Sequence, residues 1–91
     1  MSVILRVPYS MRNLIGDVEE TECVGNTIGE CLDDLSEKFP GLKNKLQYEK
    51  GEINGSVLVF LNGKSIRSQK GTKTPVKDGD EISIVPLAAG G

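Results

Sequence analysis

The chain ends on Gly90-Gly91, after the uncharged run Leu87-Ala88-Ala89. Glycine has no Cβ, so a backbone of this kind can pass extended through a narrow channel. A carboxylate delivered that way can be activated by another enzyme. The competing reading is a frayed terminus that happens to be glycine-rich, since chain ends are often idle. The other candidate groups are weaker. There is no histidine, which removes Ser–His and Cys–His nucleophiles, the usual general base and the commonest metal ligand. Cys31 falls on an apolar helical stripe and Cys23 in a strand, so both read as core thiols and not as nucleophiles. Two cysteines do not make a disulfide framework. Asp33-Asp34 lies on the polar side of the same helix, and Asp78 and Asp80 flank a turn glycine. Paired carboxylates do acid–base work only in a pocket that shifts their pKa values. Gly63-Lys64-Ser65 lacks the glycine-rich loop and the following helix that cradle a phosphate.

Size and charge narrow the classes further. A chain of 91 residues fits one domain. At this length only roughly 60–65% of the unfolded surface is buried, so a spacious internal active site is not expected. The net charge of −2 and the scattered Lys and Arg do not suggest nucleic acid. No apolar run approaches the ~20 residues of a membrane span, and Ser2–Pro8, with Arg6 inside it, is not a signal peptide. A soluble, cytoplasmic domain, monomeric when free, is the expectation.

The elements that must position the terminus are legible from spacing. Val3, Leu5 and Val7 alternate with Ile4 and Arg6, which predicts a strand closed by Pro8. Tyr9–Gly16 reads as a connection and Glu19–Val24 as a second strand, with Thr21 and Cys23 inward and Glu20 and Glu22 in water. Thr27-Ile28-Gly29-Glu30 is a capping box. Ile28, Cys31, Leu32, Leu35 and Phe39 then form one helical stripe, which Pro40-Gly41 ends. Leu42 and Leu46 suggest one further turn. Gln47–Ser56 reads as a loop and Val57–Leu61 as the strongest strand. Asn62-Gly63 is a hairpin turn, because both central residues of a type I′ turn need φ > 0. Lys64–Arg67 returns as a short strand, and Ser68–Pro75 is an irregular crossing. Lys77–Asp80 turns into a last strand, Glu81–Val85, that Pro86 ends.

This order predicts an α+β, ubiquitin-like β-grasp: a mixed sheet of four to five strands with one main helix on one face. Residues 1–86 would be the domain and 87–91 a flexible tail. If Val57, Val59 and Leu61 face the helix, Leu58 and Phe60 face away, and Ile4 and Val85 leave by the same side. Four such apolar groups would make a partner surface, unless they are scattered or covered by the Tyr9–Gly16 connection.

Fold order and tail together resemble the ubiquitin-like sulfur carriers of the MoaD/ThiS family over essentially the whole chain. The resemblance is carried by Gly25-Asn26-Thr27-Ile28-Gly29-Glu30, by Val57–Gly63 followed by Ile66-Arg67, and by Asp78–Pro86 followed by the terminal Gly90-Gly91. Pro40-Gly41-Leu42 and the extended Tyr48–Ser56 segment resemble the longer members, including the carriers of bacterial cysteine biosynthesis and the small subunit of molybdopterin synthase, more than the thiamin carriers. The resemblance implies that a partner similar to ubiquitin-activating enzymes uses ATP to adenylate the Gly91 carboxylate. Sulfur then displaces AMP, and the thiocarboxylate passes its sulfur to an accepting biosynthetic enzyme. The chain would be a co-substrate that binds no cofactor. Gly90 would supply the slender approach; Ile4, Leu58, Phe60, Val85, Pro86, Leu87, Ala88 and Ala89 would meet the partners. A ubiquitin-like modifier joined through Gly91 to lysines, or a passive β-grasp adaptor, are the alternatives.

Overall fold

The computed structural model describes residues 2–54 and 56–87. In β1 (Val3–Arg6), Val3 and Leu5 are buried while Ile4 and Arg6 turn outward, as period-two spacing requires. β2 (Glu20–Cys23) pairs antiparallel with it, Leu5 opposite Thr21, and Cys23 enters the core. The intervening Tyr9–Ile15 connection is a 3-10 helix that buries Met11 and Ile15 and ends at Gly16, where φ is +84°.

Helix α1 (Ile28–Lys38) starts as the capping box predicts. Glu30 N–H donates to Thr27 Oγ1 at 3.1 Å, and Glu30 Oε1 accepts the Asn26 N–H, one residue before the cap, at 2.8 Å. Ile28, Cys31, Leu32 and Leu35 are fully buried, while Phe39 is only partly so. A second helix, α2 (Pro40–Leu46), follows Phe39 directly and buries Leu42 and Leu46.

The expected Gln47–Ser56 loop is instead a small hairpin, β3 (Tyr48–Glu49) and β4 (Glu52–Ile53), turned by Lys50 at φ +52° and Gly51 at φ +77°. Two-residue strands with one apolar residue each carry too little alternation to be read from sequence. Tyr48 anchors the hairpin: it is buried, and its hydroxyl donates to Gly29 O in the first turn of α1 at 3.1 Å. Burial, then the nearby Asp33 carboxylate, push the phenol up to about 12.

β5 (Val57–Leu61) buries Val57, Val59 and Leu61. Asn62 (φ +49°) and Gly63 (φ +86°) make the predicted turn into β6 (Lys64–Ser65). The return strand is shorter than expected: Ile66–Ser68 coils into a 3-10 turn as Ser65 Oγ accepts the Arg67 N–H and Ile66 drops into the core. A further 3-10 turn spans Gly71–Lys73.

The last strand, β7 (Glu81–Pro86), runs through Pro86 instead of stopping before it. Pro86 opposes Val57, and the missing N–H would point toward β1, whose pairing has already ended at Arg6–Ser83. The sheet order is β2-β1-β7-β5-β6, parallel only between β1 and β7, and both helices lie on one face. This is the mixed five-stranded β-grasp.

Candidate docking face and approach to the C-terminus

The outer face of the sheet is set by alternation and register. Arg6, Ser83, Phe60 and Ser65 lie side by side across β1, β7, β5 and β6. In the next row toward the C-terminus, Val85 opposes Leu58. Leu58 and Phe60 are half-buried and Val85 is 43% exposed. These three therefore form one apolar patch, and Leu87, 38% exposed, follows from its edge. Leu87 N–H donates to Ser56 O at 2.8 Å, which ties the chain to the start of β5. Ala88, Ala89, Gly90 and Gly91 lie outside the described residues.

One expected member of the patch, Ile4, and one further residue expected to meet the partners, Pro86, separate from it. Ile4 is on the outer face, but its cross-strand neighbours are Glu81 and Glu22, so it stands apart from the apolar trio. Pro86 pairs with buried Val57 and alternates to the inner side. The Tyr9–Ile15 turn does not cover the patch: it packs on the helix side, where Leu14 Cδ2 would sit 3.4 Å from a Cβ on Gly41.

An ionic cluster borders the trio. Arg6 Nη2 is 2.9 Å from Glu20, Nη1 is 3.4 Å from Glu19, and Nε is 3.0 Å from Glu81. Ser2 Oγ donates to Glu22 on the same margin. One guanidinium against three carboxylates leaves the margin net negative. All four side chains are 42–61% exposed, so these pairs add little stability. They do fix where the charge stands. Alternation alone exposes Arg6, Glu20 and Glu22; only the parallel pairing of distant strands brings Glu81 to Arg6.

Three of the candidate carboxylates, Asp34, Asp78 and Asp80, have structural partners. Asp80 is buried and accepts the Lys77 N–H at 2.9 Å and the Asn62 amide at 3.1 Å, so it is not the solvated turn residue expected. Asp78 accepts the Ser2 N–H at 2.8 Å. Asp34 accepts the Val24 N–H at 3.0 Å and the Lys38 ammonium at 2.9 Å. Cys23 and Cys31 are free and buried, and Cys23 Sγ donates to Val3 O at 3.4 Å; the neighbouring Cys31 thiol and burial push the Cys23 thiol up. A protonated thiol in the core is a poor nucleophile. Among the described residues, no cluster of three or more His, Cys, Asp or Glu could hold a metal, and no helix is long and apolar enough to cross a membrane.

The family model for the ThiS family matches residues 5–91. The chain belongs to the ThiS family. This ThiS-family chain is 28% identical over 93 residues to the sulfur carrier protein CysO of Mycobacterium tuberculosis, covering 100% of both chains. The CysO chain in the crystal structure of the Amycolatopsis orientalis BexX/CysO complex superposes with a TM-score of 0.86 at 30% identity, over 98% of this chain and 99% of that one. The solution structure of small archaeal modifier protein 1 from Methanosarcina acetivorans superposes with a TM-score of 0.85 at 32% identity, over 99% and 96%. The protein is thus a ubiquitin-like chain of the sulfur-carrier type, a carrier and not an enzyme.

Proposed function

We propose that the Gly91 carboxylate is the reacting group and that a partner enzyme adenylates it with ATP. Carboxylate oxygen attacks the α-phosphorus and pyrophosphate leaves, giving an acyl-adenylate. A sulfur nucleophile from a sulfide or persulfide source then displaces AMP, and Gly91 becomes a thiocarboxylate. The chemistry needs this order, because a free carboxylate resists nucleophiles and an acyl-phosphate anhydride provides a good leaving group. The observation that carries the reading is the family match that runs through Gly91, with a named sulfur carrier aligned over its full length. In this reading the partner holds the ATP, and this chain supplies a substrate end and a face to grip.

Leu58, Phe60 and Val85 would seat in an apolar recess of the activating partner, with cationic groups of the partner against the Glu19, Glu20 and Glu81 margin. Leu87, leaving beside the patch, would start the approach of Ala88 to Gly91 toward the reacting centre. The sulfur acceptor would be a cysteine-forming enzyme in preference to a molybdopterin-forming one, a reading supported by the full-length likeness to CysO chains at 28% and 30% identity. The BexX/CysO complex supports a second protein partner for a chain of this fold.

A second reading has its own support in the likeness to small archaeal modifier protein 1: the same activated Gly91, attacked by a lysine amine, would yield an isopeptide bond. Mass spectrometry of the C-terminal peptide from native cells separates the two. An oxygen-to-sulfur exchange at Gly91 identifies the carrier, and a Gly-Gly remnant on target lysines identifies the modifier. A variant carrying one additional alanine after Gly91 should keep its fold and lose both products. Undiminished sulfur loading of that variant would refute the role of the Gly91 carboxylate.

A further inference from the structure

β5 has one fully paired edge and one that is mostly open. Leu87 N–H donates to Ser56 O and Asn62 N–H to Glu81 O, so the even positions of β5 face β7. Val57 and Val59 therefore direct their backbone groups the other way. On that side β6 pairs only with Phe60 and Leu61, and among the described residues no strand opposes Val57–Val59. This free edge runs beside a cleft of about 240 Å³. Val57, Val59 and Ile66 line its floor, Gly51–Ile53 of the β3–β4 hairpin form one wall, and Arg67 with Gly71-Thr72 forms the other. Thr72 Oγ1 donates to Gly51 O at 2.7 Å and joins the walls at one end.

Among the described residues, the cleft lining carries one cation, Arg67, and the segment that forms the Arg67 wall is basic. Residues 64–77 contain Lys64, Arg67, Lys70, Lys73 and Lys77 and no acid. All five are exposed, and the ion pairs among the described residues involve only Arg6 and Lys38. Among the described residues, Glu52 is the one acid lining the cleft. An open edge invites another strand, and exposed cations beside it are a usual guard against self-pairing. A second copy would bring like charges of this segment, Arg67 first, to the same edge. A strand of opposite charge would gain from them.

We propose that the β5 edge is a second docking site, which accepts an extended acidic-and-apolar segment of a partner protein by strand addition. Main-chain bonds to Val57 and Val59 would set its register, alternate apolar side chains would enter the cleft toward Ile53 and Ile66, and flanking carboxylates would meet Arg67 and Lys70. The cleft lining includes none of Leu58, Phe60 and Val85, so a partner held there leaves the outer face free. It does not depend on the sulfur-carrier reading.

The test uses the full chain, ¹⁵N-labelled, titrated with a capped synthetic peptide, Asp-Glu-Val-Ile-Val-Asp-Glu. The Val57, Val59, Ile66 and Arg67 amides should shift, and hydrogen exchange at Val57 and Val59 should slow on binding. Arg67→Glu combined with Lys70→Glu should weaken binding by about tenfold at an unchanged melting temperature, both side chains being exposed. Methylating alternate peptide nitrogens should abolish binding. The proposal is overturned if no amide shifts at millimolar peptide, if the shifts fall on Leu58, Phe60 and Val85, if a lysine-flanked version binds as well, or if N-methylation has no effect.

Discussion

Phe60 shows how much strand alternation discloses about a single residue. Within Val57–Leu61 the odd positions are β-branched or leucine and buried, so Phe60 had to face out. Its neighbours were only partly legible. Leu58 shares its strand and could be named with it; Val85 joins them because the antiparallel register sets it opposite Leu58. The same register argument removes Ile4 from the trio, since the parallel partner of Ile4 is Glu81. A half-buried aromatic on an otherwise apolar patch is the kind of anchor that dominates docking. Phe60→Ala is expected to cost about 1 kcal/mol of stability and about 2 kcal/mol of docking, roughly thirtyfold in affinity. Thermal melts beside ATP–pyrophosphate exchange with the activating partner check this. A variant that no longer folds would mean that Phe60 is core and not docking surface.

At the scale of elements, a polar clamp fastens α1 to the end of β2. Asp34 accepts from the Val24 N–H and from Lys38, and Lys38 also donates to Glu22 O at 3.3 Å. Partial burial alone would raise the Asp34 pKa; the bonds from Lys38 and Val24 outweigh it and hold the carboxyl below its ordinary range. A carboxyl depressed in the fold stabilises at pH above its unfolded value, about 3.9, and that stabilisation is lost as pH falls through the lower folded value. Asp34→Asn should therefore be less stable than the parent at pH 7, with the gap closing on acidification below about pH 4. Urea midpoints for both proteins across that range measure it, and a gap constant with pH would show that Asp34 acts through packing alone. The capping box and apolar stripe made α1 readable in the sequence. The clamp was not, because Asp34 looks like any acid on a wet face until β2 is laid against it. The β3–β4 hairpin was missed for a related reason: its stability comes from Tyr48 reaching Gly29, a partner nineteen residues away.

For the whole molecule, the core is one cluster between the helices and the inner face of the sheet, with Leu32 at 0% exposure within it. A domain of this size has little stability to spare. Leu32→Ala should remove about 2–5 kcal/mol, and each kcal/mol corresponds to about 4–8 °C in melting temperature for a domain this small. Calorimetry of the two proteins checks the fall; a drop under a few degrees would mean that the cavity closes around the smaller side chain. Charge is also segregated at this scale. The acids around Arg6 border one face, while residues 64–77, which include Arg67 of the cleft beside β5, carry cations and no acid. A net charge of −2 conceals both surfaces.

Local and periodic features were readable along the chain: strand alternation, the capped helix, the Asn62-Gly63 turn, the β-grasp order and the terminal glycines. Each of these depends on residues within a few positions of one another, where backbone sterics and hydrophobic period decide. What lies beside what depended on how distant segments pack. Parallel pairing of β1 with β7 built the Arg6–Glu81 margin, the short β6 left the β5 edge open, and the buried Asp80 and Tyr48 found partners far along the chain. Register and long-range hydrogen bonding are properties of segments brought together, and no single segment contains them.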